Sequence, residues 1–339
     1  MQRSSHNTSP RSSSRWFARL ALTAATLAAT TLTSTAWAQD KVTLLTSWYA
    51  QAEHGGFYQA AATGLYKKYG LDVTIKMGGP QINGIQLLAA GQADFIMGYD
   101  IQTLNSIEKG LPVVTVAASF QKDLQGIMAH DDVKSLADLK GKTILANTSA
   151  QTSWLPWLLG KYGYSMDQVR PYTFNLQPFI ADKNVAQSAY LSSEPFMAMK
   201  SNVPANFFLL ADQGYPPYGT TIVTLQKMVA EKPDVVARFV RASMEGWKSY
   251  LANPAPGNEL IKKDNPKMED DLIAFAVKRM KEVKAVDGGD AATQGVGVMT
   301  DARWEQTYKF MLSAGLLKPG VDWKKAYTTQ FVKDLKLMP

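Results

Sequence analysis

The side chains best equipped to hold a small molecule fall in short segments, each where a strand-like run gives way to a helical one. Trp48 and Tyr49 end the run 42–46 and are followed by Glu53-His54-Gly55-Gly56 at the next helix start. An indole or phenol at the carboxyl end of a strand forms either a stacking wall for a ring or part of the core. His54 is a ligand contact or a plain capping residue, at a helix start whose free amides favour a polar or anionic group. Gly78-Gly79-Pro80 allows close backbone approach to a ligand, or simply turns the chain. Tyr99-Asp100 follows the run 94–98, so Asp100 either caps the next helix or accepts a ligand N–H.

Further along, the stretch 147–152, with Asn147, Thr148, Ser149 and Gln151, is dense in hydroxyls and amides, which suits a carboxylate, phosphate or sulfonate edge. Trp154 and Trp157 lie about 60 degrees apart on a helix. Trp154, nearer the helix start, is placed near the pocket and Trp157 in packing. Glu194, in Ser192-Ser193-Glu194-Pro195, takes a proton or an N–H hydrogen bond from a ligand or sits as a carboxylate at a helix start. Tyr218, in Tyr215-Pro216-Pro217-Tyr218, belongs to a stiff aromatic segment that serves as hinge, pocket wall or both.

This is the chemistry of recognition rather than of bond-making. The chain has no cysteine, which removes a thiol nucleophile, a disulfide framework and a Cys-type metal site. Outside the first 38 residues only His54 and His130 remain as histidines, leaving a histidine-based triad little choice of base. No catalytic residue, metal ligand or cofactor is expected.

Residues 1–38 read as a cleavable export signal: Arg3, Arg11, Arg15 and Arg19 without an acid, an uncharged stretch of about 15 residues, then Ala36-Trp37-Ala38. That stretch is short of the roughly 20 residues a spanning helix needs. Without those arginines, 32 basic residues face 29 acidic ones, so the formal +7 falls to +3 and no nucleic-acid footprint remains. An exported, cysteine-free chain points to the periplasm.

The elements that must position these segments alternate. Strand-like runs at 42–46, 73–77, 94–98 and 113–118 are separated by helical runs at about 55–69, 81–90 and 101–109. The pattern restarts with strands at 126–129, 143–146, 169–174, 189–191 and 207–210 and helices at 135–139, 153–161, about 179–185 and 195–200. A strand at 220–225 then leads into helices whose stripes, Val236, Phe239, Val240, Trp247 and Leu251, then Trp304, Tyr308, Met311 and Leu312, are core. The expected architecture is α/β, with two mostly parallel sheets flanked by helices. Residues 39–120 and 217–339 form a discontinuous first lobe and 121–216 a second, with a shared cleft at the carboxyl ends of the strands.

The order and spacing of Trp48, His54-Gly55-Gly56, Ala60, Gly64-Leu65-Tyr66, Gly70-Leu71-Asp72-Val73, Gly78-Gly79 and 88–95 (LAAGQADF) resemble the solute-binding proteins of ABC importers in the thiamine-pyrimidine family, relatives of sulfonate, nitrate and riboflavin binders. The resemblance covers about residues 42–225. It implies a two-lobed type II periplasmic binding protein fold, a monomer that closes on a small-molecule solute and presents it to an inner-membrane permease, and no covalent chemistry. The preferred solute is a flat nitrogen heterocycle, thiamine-pyrimidine-like or flavin-like. Aliphatic or aromatic sulfonate or nitrate is the alternative, with Thr148 and Ser149 as its donors. A pyrimidine synthase like those of the same family is a remote third, because those resemble this chain in the opening motif but carry a cysteine-rich iron-binding segment. A sensor partner would use the same closed form.

Overall fold

The β-branched and aliphatic runs of the sequence become strands in two separate five-stranded sheets. The computed structural model describes residues 39–151 and 153–339, the side chain of Ser149 excepted. The expected export signal lies outside them. Gln39–Pro339 forms one compact unit.

In chain order the strands are β1 (Asp40–Leu45), β2 (Leu71–Lys76), β3 (Phe95–Gly98), β4 (Val113–Phe120), β5 (Gln125–His130), β6 (Thr143–Ala146), β7 (Val169–Pro171), β8 (Val185–Tyr190), β9 (Ala205–Leu209) and β10 (Gly219–Leu225). The first sheet has the order β2-β1-β3-β10-β4 and the second β7-β6-β8-β5-β9. Pairing is parallel for β1 with β2 and β3, and for β6 with β7 and β8. Only β10 and β5 run against their neighbours. These are the strands by which the chain enters each sheet from the other. A chain leaving the carboxyl end of β4 or β9 arrives at the carboxyl edge of the opposite sheet and has to run backwards through it. The two carboxyl edges are thereby turned toward each other, where ligands of open α/β sheets bind.

The two crossings are fastened together. Arg303, in the helix Asp301–Ser313, donates from Nε to the Pro216 carbonyl (2.7 Å) and from an Nη to the Gln121 carbonyl (3.0 Å), with its guanidinium 4.7 Å from the Tyr218 ring centroid. Behind the first sheet, the helix Pro233–Ala252 buries Val236, Phe239, Val240 and Trp247, as its stripe predicts. It lies so close to the helix Gly55–Ala62 that a Cβ on Gly56 would sit 2.2 Å from the Trp247 ring. The motif glycines therefore serve helix packing, and that contact fixes where Glu53 and His54 emerge.

Several expected elements are redrawn. The helical run 55–69 breaks at Gly64, which takes φ +74, into Gly55–Ala62 and Leu65–Lys68. The helix expected over 81–90 shortens to Gly84–Ala89, capped by Asn83. The run 169–174 pairs with β6 only as far as Pro171, after which the Tyr172 N–H still donates to the Ala146 carbonyl (3.0 Å), and Phe174 turns out of it at φ +61. The helix expected at 179–185 is Gln177–Ala181, and Val185 instead begins β8, because Val185 and Ala186 pair with Thr143 and Ile144 of β6. A long-range partner overrode the local pattern there.

Candidate functional site

Between the carboxyl edges of the sheets lies a cavity with about 620 Å³ of unfilled space, its open mouth included. Of the residues expected in a site, it brings together Trp48, His54, Tyr99, Trp154 and Glu194, with Asn147 from the stretch 147–152.

Trp48 follows β1 and is held by its backbone: its carbonyl accepts the Thr46 hydroxyl (2.7 Å) and the Gly78 N–H (3.2 Å). The half-buried indole meets Phe174 edge-on, with centroids 5.8 Å apart and planes at 87°. Tyr49 packs behind it, 5.9 Å from Trp48 and 6.0 Å from Phe174. Phe174 reaches this wall from the opposite sheet. Trp154 is buried and donates from its indole N–H to Gln125 Oε1 (2.7 Å), and the Gln125 amide donates to Asp123 Oδ2 (2.8 Å) in the first crossing. Tyr190 adds its hydroxyl to Asp123 (3.3 Å). Burial pushes the Asp123 carboxyl up to about 7, against the lowering effect of those bonds.

Two acids line the cavity. Glu194 opens the helix Glu194–Lys200, where its Oε1 accepts the Tyr172 hydroxyl (2.8 Å) and its Oε2 the Tyr190 N–H (2.8 Å). Burial pushes it up to about 7. Glu53 stands on the opposite side, with Oε1 accepting the Ser192 hydroxyl. Burial raises its pKa as well, and the same effect lowers that of His54 to about 3, so the imidazole is neutral. No lysine or arginine is among the residues lining the cavity.

The other expected residues lie elsewhere. Gly78 is pressed against the backbone, where a Cβ would come within 2.1 Å of the Thr46 carbonyl oxygen, and Gly79 lies under the Tyr49 ring. They hold the Trp48 loop rather than line the cavity. Asp100 is the first residue of the helix Asp100–Glu108, whose N-cap is Tyr99, and its carboxylate is taken up within the fold: it accepts the N–H of Ile101 (2.8 Å), the N–H of Tyr218 (3.0 Å) and the Thr307 hydroxyl (3.1 Å). Tyr218 is fully buried at the second crossing and is not among the residues lining the cavity, its hydroxyl accepting the Thr300 N–H (3.1 Å). Thr148 opens the short helix Thr148–Gln151, to which Ser149 also belongs, and donates to Gln81 across a separate groove (3.3 Å). Trp157 packs on Tyr215 and Phe310, as expected.

Glu53, Gln125, Tyr172, Phe174 and Tyr190 line the cavity without having been singled out in the sequence. Glu53 had a signal, as the neighbour of His54 in the same motif. Tyr172 and Phe174 were hidden inside a run read as strand.

The chain matches the model of the family described as NMT1/THI5 like over residues 51–256, and it belongs to that family. It is 27% identical over 305 residues to a riboflavin-binding protein of Chloroflexus aurantiacus, covering 86% of each chain. It is 25% identical over 271 residues to a formylaminopyrimidine-binding protein of Halalkalibacterium halodurans, covering 75% of this chain and 82% of that one. Among solved structures it is similar to the alkanesulfonate-binding protein of Xanthomonas axonopodis pv. citri bound to MOPS, with TM-score 0.63 and 15% identity over 85% of this chain and 98% of that one. The fold is that of the periplasmic binding proteins, as the strand order and the opposed carboxyl edges require.

Proposed function

We propose that this protein is the solute-capturing component of an ABC importer, exported to the periplasm, where it holds a small flat nitrogen heterocycle between its sheets and delivers it to an inner-membrane permease. One observation carries the ligand class: Glu53 and Glu194 face a cavity walled by Trp48, Trp154, Tyr172 and Phe174, with no lysine or arginine among its lining residues and its histidine, His54, neutral. A ring bearing N–H groups finds acceptors at its edge and aromatic surface at its face. A sulfonate or nitrate would bring a negative charge beside buried carboxyls with nothing to neutralise it. The names of the riboflavin- and formylaminopyrimidine-binding relatives support the same class.

In this reading residues 39–120 with 217–339 and residues 121–216 act as two lobes that close about the crossings held by Arg303. Micromolar affinity requires about 8 kcal/mol, within reach of one stacked ring, a few hydrogen bonds and closure. No covalent step is part of it. The test is thermal unfolding of the purified protein with 4-amino-5-hydroxymethyl-2-methylpyrimidine, riboflavin, taurine, an aromatic sulfonate and nitrate, since a ligand that binds only the folded state raises the melting temperature. A rise with a heterocycle supports the proposal. A rise confined to sulfonates or nitrate sinks it.

A further inference from the structure

The two acids of the cavity are not equivalent. Both oxygens of Glu194 already accept a hydrogen bond, from the Tyr172 hydroxyl and the Tyr190 N–H. Glu53 is 3% exposed, and although Ser192 donates to its Oε1, its Oε2 has no hydrogen-bond partner among the described residues. The same cavity is lined by His54, Ser188 and Ser193, whose Nδ1, Oγ and Oγ are likewise buried and without a partner among the described residues. Buried polar atoms are nearly always paired, so four orphans on residues that line one cavity are a coherent demand for a bound polar edge. Two of them come from the Glu53-His54 loop of the first sheet and two from the Ser188–Ser193 region of the second.

Resting on the ligand class proposed above, we infer that Glu53, rather than Glu194, is the residue that selects the ligand: its Oε2 receives an N–H of a heterocycle whose adjacent ring or exocyclic atom is met by His54 and the two serines. The chemistry narrows accordingly. An ionised Oε2 only accepts, and an N–H brought against it favours that form over the protonated one that burial alone promotes, whereas a serine hydroxyl or a neutral imidazole nitrogen donates or accepts according to its proton. The favoured edge is an N–H donor beside a second hydrogen-bonding atom, as in an aminopyrimidine or a cyclic imide. The Ser192–Glu53 bond runs between loops of opposite sheets, so the acid that reads the ligand also ties the cleft shut. Glu53 is held in place for this by the close packing of the helix that follows it, at Gly56 against Trp247.

The test is calorimetric titration of the purified full-length protein with two matched pairs: 4-amino-5-hydroxymethyl-2-methylpyrimidine against its 4-methoxy analogue, and riboflavin against N3-methylriboflavin. Wild type is expected to prefer the N–H member of one pair by tenfold or more. Glu53→Gln, nearly the same shape and able to keep the Ser192 bond, should cut that preference to about threefold or less. Glu53→Asp, which withdraws the carboxyl by one methylene, should weaken the N–H member specifically. Ser192→Ala should weaken both members alike and leave their ratio intact. If wild type shows the preference and Glu53→Gln and Glu53→Asp both retain it, the role of Glu53 is overturned while the ligand class stands. If wild type binds no member of either pair, the ligand class and the inference fall together.

Discussion

Replacing Trp48 with alanine separates ligand stacking from core packing. The indole is half-buried and meets Phe174 and Tyr49 edge-on at 5.8 and 5.9 Å, so the fold draws less on it than on a fully enclosed tryptophan such as Trp247. A buried tryptophan truncated to alanine costs about 3–5 kcal/mol of stability, and roughly half or less of that is expected here. A heterocycle stacked on an aromatic side chain loses about 1–3 kcal/mol of binding free energy by the same truncation, which is roughly a 5- to 150-fold rise in the dissociation constant. Since Trp48 and Phe174 stand at 87°, a ring lying flat on one meets the other edge-on, and the Trp48→Ala, Phe174→Ala double variant should lose less than the sum of the single losses. The assay is titration calorimetry with whichever heterocycle raises the melting temperature, alongside unliganded melting curves. An affinity within twofold of wild type would remove Trp48 from the site and leave it a packing residue.

Other perturbations test the remaining reasoning. Asp100→Asn should cost roughly 1–3 kcal/mol of stability, because one oxygen that accepts from Tyr218 and Thr307 becomes a donor, yet leave ligand affinity near wild type; lost affinity at unchanged melting would put Asp100 back in the site. Gly56→Val should lower the melting temperature through about 1–3 kcal/mol of overpacking against Trp247, and a wild-type melting curve would contradict the close helix contact. Asp123 and Glu194 have carboxyls raised to about 7 by burial, so the folded protein binds more protons than the unfolded chain from about pH 4 to 7. Their contribution is full below the unfolded values and is lost as pH rises toward 7. His54, lowered to about 3, works the other way, its contribution being complete above about 6.5 and lost below. The melting temperature should therefore fall between pH 5.5 and 8, and Asp123→Asn should flatten that fall; an unchanged slope would refute the assignment of Asp123.

Much of the architecture was legible because it is written locally. The strand, glycine-opened helix and second strand of residues 40–76 follow from short-range periodicity and punctuation, and so do the buried stripes on Pro233–Ala252 and Asp301–Ser313. Trp48, His54, Tyr99, Trp154 and Glu194, which line the cavity, were singled out because they stand at strand ends or at the helix starts that follow, the side of such sheets that faces the cleft. What depends on a distant partner was not legible. Val185 joins β8 only because β6 offers it a ladder, and Phe174 reaches the Trp48 wall only because the opposite sheet carries it there. The neighbours of Asp100 in the chain favoured a cap over a ligand contact, and they carried no sign of its bonds to Tyr218 and Thr307, 118 and 207 residues away. The sequence by itself therefore determined the elements, the family and the acids and rings available for recognition. The tertiary structure decided which of two glutamates keeps an oxygen unpaired, because hydrogen-bond partners are assigned by folding across the chain and not by spacing along it.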